Sequence, residues 1–301
     1  MTALSETILE QYQVRKSRKQ KDAFIALLRS HFPSLQVEKA GAFGSRNLIL
    51  GDPDRAKVML TAHYDTCALF PFPNFLTPQN IPLYILYNLL ICIPLFAVLF
   101  AVRFLVSDPL LRFVLLEGTG VFFLWSLLFG IPNKHTANDN TSGVITLLEI
   151  YAALPENQKD QVCFVFFDHE ELGLLGSSAF RKLHKEKMKV TPLLNFDCVS
   201  DGAHFLLVRN KSCGDSLDQH LTAAFVADET HSAALASSSN TIYPSDQAGF
   251  PLGVGIASFH RHPIVGLYMN KIHTSKDRVF DRGNIAFIQG CAQTFLNRIT
   301  E

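Results

Sequence analysis

Along most of the chain, short apolar runs end in polar clusters, and helical and strand periodicities take turns. Ile8, Tyr12, Phe24, Leu27 and Leu28 recur at helical spacing and predict a helix over residues 5–32. Residues 47–50 predict a strand closed by the turn signal Gly51-Asp52-Pro53. Residues 57–62 predict the next strand, so that the two form a hairpin feeding a central strand position. After a polar loop at 138–143 come a helix over 144–154, a strand over 161–167 and a helix over 173–186. Strands follow over 193–196 and 204–208, then a helix over 217–227, a strand over 264–268 and a closing helix over 284–298. This alternation predicts an α/β fold, a mostly parallel central sheet flanked by helices, with functional loops at the carboxyl ends of the strands.

The rhythm breaks between residues 66 and 102, which carry no charged residue. Residues 81–102 are long enough to cross a hydrocarbon core of about 30 Å as a helix. Arg103 and a short turn at 107–109 separate them from a second apolar run at 113–131, whose one charge is Glu117. The pattern predicts a transmembrane helical hairpin that meets the lipid bilayer through residues 81–131, with Tyr84, Tyr87 and Trp125 near the interface. The rival expectation is a hairpin covered by protein, within the chain or in a homodimer. The chain thus divides into an α/β unit of residues 1–69 and 132–301 and an inserted apolar hairpin of residues 70–131.

Composition narrows the picture. The 301 residues suffice for a sizeable core, and 27 basic against 27 acidic residues leave no nucleic-acid footprint. The six cysteines form no CxxC pair and read as buried thiols of a reducing compartment. The N-terminal stretch lacks the apolar run of a signal peptide, and its basic residues 15–21 read as a solvated face. A membrane-associated chain is expected, its hairpin crossing the bilayer or lying in it as a shallow monotopic anchor, with the catalytic part on the cytoplasmic side.

Candidate chemistry enters at the strand ends. The run VCFVFF, residues 162–167, leads directly into Asp168, His169, Glu170 and Glu171, and adjacent acids at the end of a buried strand need something positive. The strand at 57–62 leads to His63 and Asp65, the loop before residue 144 carries Asp139, the strand at 193–196 ends at Asp197, and the late strand precedes His273. Imidazole and carboxylate are the donors zinc accepts, and a carboxylate can bridge two ions about 3.5–4 Å apart. The O/N donor set also admits cobalt or manganese.

In this order, His63-Tyr-Asp65, Asn138-Asp139-Asn140-Thr-Ser-Gly143, Glu170-Glu171 with Leu-Gly-Leu-Leu-Gly-Ser behind it, Asn195-Phe-Asp197 and Ile272-His273-Thr resemble the M28 family of zinc-dependent aminopeptidases. The resemblance covers about residues 5–66 and 132–299 and leaves out the hydrophobic hairpin. It implies a zinc-exopeptidase fold and two zinc ions, His63 and Asp197 on one, Glu171 and His273 on the other, with Asp139 bridging. It implies Glu170 as general base toward a water between the metals, and Asp65 as hydrogen-bond partner of His63. A cis peptide at Asp139-Asn140 is implied as well. The substrate is then a short peptide with a free N-terminus, its amine met by Glu170 or Asp246. The segment 243–250 resembles the family's substrate-side loop, with Gln247 where many relatives have His; Tyr268 is the further candidate to line the cleft. Two rivals share the fold: a glutaminyl cyclase-like single-zinc acyltransferase, and a non-catalytic scaffold, which is expected to lose ligands that this chain retains.

Overall fold

Two strands with no polar face occupy the middle of the molecule: β3 (Val58–His63) and β4 (Val162–Phe167) are buried at every position. Strands buried on both faces read as near-continuous apolar runs, which is what 162–167 shows. The computed structural model describes residues 1–41 and 43–300. Its nine-stranded sheet has the order β1-β2-β4-β3-β5-β8-β6-β7, with β9 paired to β8 off this path. The remaining strands are β1 (Gln36–Ala40), β2 (Ser45–Leu50), β5 (Leu193–Phe196), β6 (His204–Arg209), β7 (Ser232–Ser237), β8 (Gly253–His262) and β9 (Gly266–Tyr268). The centre β4-β3-β5-β8 is parallel. Antiparallel pairs flank it, β1–β2 and β2–β4 on one side and β6–β8 on the other.

Several expectations need correction. Strands β2 and β3 do not form a hairpin, because β4 lies between them; β2 makes its hairpin with β1 instead. Strand β8, paired to β5, β6 and β9, was not anticipated at all, and the late strand is shorter than predicted and lies at the margin. The long N-terminal helix is two helices, α1 (Ala3–Gln11) and α2 (Arg18–His31), the second opened by a capping box in which Ser17 accepts from Gln20 N while the Gln20 side chain accepts from Ser17 N. Between them Arg15 turns inward, 0% exposed, and its guanidinium donates to the carbonyls of Tyr12 and Tyr64 at 2.5 Å each and to Thr141 Oγ1 at 3.1 Å. The basic stretch is therefore a solvated face only in part, at Arg18 and Lys19, which are exposed. Lys21 is buried too, and its ammonium pairs with the buried Asp168.

Helices cover both sides of the sheet. Val58, Leu60, Phe164, Phe166 and Leu194 share one core with α1, α2, α5 (Gly143–Ala153), α8 (Asp215–Ala224) and α9 (Arg282–Thr300). The alternate positions Met59, Cys163, Val165 and Phe167 pack on Phe180 of α7 (Leu175–Leu183) on the other side, as the two-residue period of a strand requires. A short helix α6 (Glu156–Lys159) links α5 to β4.

The hairpin joins neither of these cores; only Tyr84 at its base packs on a third, smaller cluster around Leu76, Tyr243 and Met269. Helices α3 (Ile81–Leu105) and α4 (Pro109–Phe129) have 25 and 21 residues, about 37 and 32 Å at 1.5 Å per residue, and none of their residues is buried. Phe96, Phe100, Phe104, Phe113, Phe122 and Trp125 are exposed. The chain itself therefore does not cover the hairpin. Its two arms close at the root, where Leu69 N donates to Ile131 O at 2.8 Å and Asn133 N to Cys67 O at 3.2 Å.

The pair Lys21–Asp168 supplies a test of this packing. Lys21→Ala is expected to lower stability by about 3–5 kcal/mol, because it strands a buried carboxylate, while Lys21→Ala combined with Asp168→Asn recovers part of that loss. Denaturant unfolding of the single and double variants in detergent checks it.

Candidate metal centre

Strand geometry delivers the predicted residues to one place. His63 is the last residue of β3, Glu170 and Glu171 follow β4, and Asp197 follows β5. Asp139 lies in a wide, wholly buried turn, Ala137–Ser142, that leads into α5, and its peptide bond to Asn140 is cis. Asn140 ties this turn to the sheet: its Nδ2 donates to Phe196 O at 3.0 Å and its Oδ1 accepts from Gly143 N at 2.9 Å. Gly143 is obligatory there, since a Cβ would fall 2.2 Å from Phe196 O.

The acids and imidazoles interleave. His63 Nε2 lies 3.3 Å from Asp139 Oδ1 and 3.5 Å from Asp197 Oδ1. His273 Nε2 lies 2.9 Å from Asp139 Oδ2 and 3.5 Å from Glu171 Oε2. The two oxygens of Asp139 thus face two different histidines, each with its own second acid. Within the groups His63/Asp139/Asp197 and Asp139/Glu171/His273 one donor atom from each residue lies within 4.8 Å of the others; the second group also includes Cys67, and His63, Glu170 and Glu171 meet the same distance.

Asp65 supports the cluster differently from the expectation. His63 Nδ1 donates to the Asp65 backbone carbonyl at 3.1 Å, leaving Nε2 free toward the acids, while the Asp65 carboxylate is 3.7 Å away. That carboxylate instead accepts from the amides of Glu170 at 3.0 Å and Glu171 at 3.3 Å, so it shapes the loop that presents both acids. Asp277, which sequence reasoning missed, does the same for Asp139: its carboxylate accepts from Asn138 N at 2.8 Å and Asp139 N at 3.0 Å. Nothing in the sequence marks Asp277 beyond its place four residues after His273. His273, Cys198 and His169 have φ of 60°, 57° and 56°, left-handed values that cost non-glycine residues about 1–3 kcal/mol and gather at functional loops.

Electrostatics shows what this arrangement lacks. Burial and the neighbouring Asp139 push Glu171 far above the usual carboxylate range, and burial together with Glu171 and Asp246 does the same to Glu170 despite nearby His63. Burial alone would lower His63, yet Glu170, Asp139 and Asp197 hold it well above its ordinary value. Asp65 goes the other way: burial would raise it, but Lys21, His63 and the Glu170 amide bring it down to about 2. Glu171 Oε1, Asp197 Oδ1 and His273 Nδ1 are buried with no hydrogen-bond partner. Buried polar atoms are normally paired, so orphaned carboxylate oxygens beside imidazoles fit divalent cations in both chemistry and number of donors.

A cavity of about 180 Å³ opens beside the cluster, with His63, Asp139, Glu170, Asp197 and His273 on one side. Its lining also includes the apolar or aromatic residues Leu76, Tyr84, Met269 and Ile272, two of which belong to the hairpin and the segment leading into it. The substrate-side expectations fare unevenly. Asp246 is buried near the cluster without lining the cavity, both its oxygens unpartnered, and burial pushes it up to about 7. Gln247 does not reach the cavity: buried, it donates from Nε2 to Tyr243 O at 3.0 Å and accepts from Asn195 Nδ2 at 3.2 Å, a packing role beneath the sheet end. Tyr268 does not line the cavity either; its ring lies 6.0 Å from Phe75 and 5.7 Å from His260, and its neighbour Met269 faces the cavity instead.

Comparison with known proteins agrees with this geometry. The Legionella pneumophila LapA aminopeptidase structure superposes with a TM-score of 0.58 at 12% identity, covering 98% of this chain and 68% of that one. A Porphyromonas gingivalis glutaminyl cyclase also gives 0.58, at 16% identity over 98% of this chain and 96% of that one. A Macrostomum lignano glutaminyl cyclase gives 0.54 at 13% identity, over 99% and 88%. At such identities the likeness is one of fold. No curated protein matches the chain in sequence. The family model described as Peptidase family M28 matches residues 125–297, a span that holds Asp139, Glu170, Glu171, Asp197 and His273, while His63 and Asp65 join them from outside it through the fold. That match takes in more than half of the 301 residues, and the chain belongs to peptidase family M28.

Proposed function

We propose that this protein is a dizinc aminopeptidase held at a membrane by its hairpin. The observation that carries the reading is Asp139, whose two oxygens face separate donor groups, His63 with Asp197 and His273 with Glu171. A single-zinc, cyclase-like reading would leave one of these groups without an ion. Zinc ions bound there would lower the pKa of a water and polarise the scissile carbonyl.

The chain's own groups do the rest. Glu170 faces the cavity without being needed in either donor group around Asp139, and a carboxylate raised by burial is suited to take a proton from the attacking water and return it to the leaving amine. Asp246, buried beside Glu170 and His63, adds negative charge where a substrate ammonium would lie, which favours a free N-terminus. Leu76, Tyr84, Met269 and Ile272 form an apolar wall for the first side chain, and a charged side chain placed against it would be desolvated without a partner. The unburied helices α3 and α4 match the thickness of a bilayer core, and both ends return to the peptidase unit, which therefore lies on one side of the membrane. The free thiols support a cytoplasmic orientation; the positive-inside rule does not select it, since Lys134 beside the root is set against Arg103 and Arg112 at the far turn.

Three outcomes are expected. Metal analysis gives two zinc equivalents per chain, and Glu170→Gln retains both while kcat falls by about 10²–10⁴-fold; a single tight ion would favour the cyclase, and surviving turnover would remove Glu170 from the reaction. Peptides with apolar first residues are cleaved, while Tyr84→Ala lowers kcat/KM for them by about tenfold or more, and N-acetylated peptides are left intact. Finally, the chain stays with bilayers through washes at high salt and alkaline pH, whereas release by such washes would point to a protein partner for the hairpin.

A further inference from the structure

The geometry points to Cys67 as a thiolate donor to the metal position held by Glu171 and His273, an assignment that rests on the metal-dependent reading above. Cys67 Sγ, carboxylate oxygens of Asp139 and Glu171 and a ring nitrogen of His273 all lie within 4.8 Å of one another. The cysteine is 1% exposed. Independently, the Glu171 side chain beside it is 8% exposed, and its Oε1 has no hydrogen-bond partner. Most buried cysteines behave as small hydrophobes among apolar neighbours. Cys163 is of that kind, packed with Ile49, Met59, Val165 and Phe167. Cys67 is instead enclosed by two carboxylates and an imidazole, with Asn133 Nδ2 3.9 Å from its sulfur. Cys198, next to Asp197, joins no such donor group among the described residues.

The two metal positions then differ in kind. One offers His63, Asp139 and Asp197, an N/O set that several metals accept. The other adds a soft sulfur to nitrogen and oxygen, which favours zinc over manganese or magnesium. Binding exchanges the S–H bond for a sulfur–metal bond and releases the thiol proton to solvent. Cys67 would thereby decide which metal fills its position, a choice the carboxylates and histidines leave open.

The test uses the full-length protein stripped of metal and reloaded with Co²⁺. With two cobalt ions bound, it is expected to show a thiolate-to-cobalt charge-transfer band in the near ultraviolet. The band should vanish in Cys67→Ser and persist in Cys198→Ser. In competition titrations, Cys67→Ser should also lose about a hundredfold in zinc affinity at one position while manganese affinity changes little, the upper end of what loss of a supporting partner costs. Two bound cobalt ions without the band, read on the unaltered protein, overturn the assignment even if the serine variant does not fold. So does a band that persists in folded Cys67→Ser. Failure of the unaltered protein to bind any metal would overturn the dizinc reading itself.

Discussion

Buried negative charge without enough positive charge is the constraint from which the rest of this structure follows. Asp139, Glu170, Glu171, Asp197 and Asp246 converge within a buried rim, and the imidazoles of His63 and His273 are the bases directly among them. Ionised carboxylates cannot share so small a volume in a medium of low dielectric unless protons or metal ions neutralise them. Burial and mutual repulsion accordingly push Glu170, Glu171 and Asp246 upward. Divalent cations would satisfy the same demand, and the orphaned oxygens of Glu171 and Asp197 are donors such ions could take.

The sheet is what makes such crowding tolerable. Parallel strands end in register, so His63, the acids after β4 and Asp197 leave β3, β4 and β5 along one edge. The backbone is then fixed from behind: Asp65 takes the amides of Glu170 and Glu171, Asp277 those of Asn138 and Asp139, and Lys21 with Arg46 N anchors Asp168 just before the acidic pair. Asp65 and Asp168 are compensated locally, by Lys21 and by amides, whereas burial beside Asp139 pushes Asp277 up to about 8 in spite of its two amides. Supporting groups of this sort govern metal affinity as much as the ligands do.

How much of this could be read beforehand depends on how far each signal is local. The unbroken run 162–167 and the polar residues at its end name a buried strand and its site without reference to the rest of the chain. Strand β8 begins Gly253-Val-Gly255, and glycine in a strand hides the pattern; at Gly255 a Cβ would fall 2.6 Å from the Gln247 side chain, so the reason for the glycine lies in tertiary packing. Arg15 and Lys21 looked like surface because their partners, the Tyr64 carbonyl and Asp168, are 49 and 147 positions away. Gln247 is hard to read for the same reason: whether an amide faces a cleft or a core depends on Asn195 and Tyr243, which no local pattern reveals.

The hairpin and the metal centre share a single piece of chain, which bears on how they act together. Between His63 and Asp139 the polypeptide leaves the sheet, runs out along α3, returns along α4 and re-enters at the wide turn, so its root is set between ligands of one cluster. The outgoing arm is bonded to the site on its way: Phe70 N donates to His273 O at 2.8 Å with its ring edge-on to the imidazole at 4.7 Å, and Leu76 and Met269 exchange backbone hydrogen bonds at 2.9 and 3.0 Å. Tyr84, in the first turn of α3, then closes the cavity wall. A hairpin tied in this way is not a detachable anchor. Cys67, the ring against His273 and the Tyr84 wall of the cavity all belong to this one root segment, so the hairpin and the site share their packing.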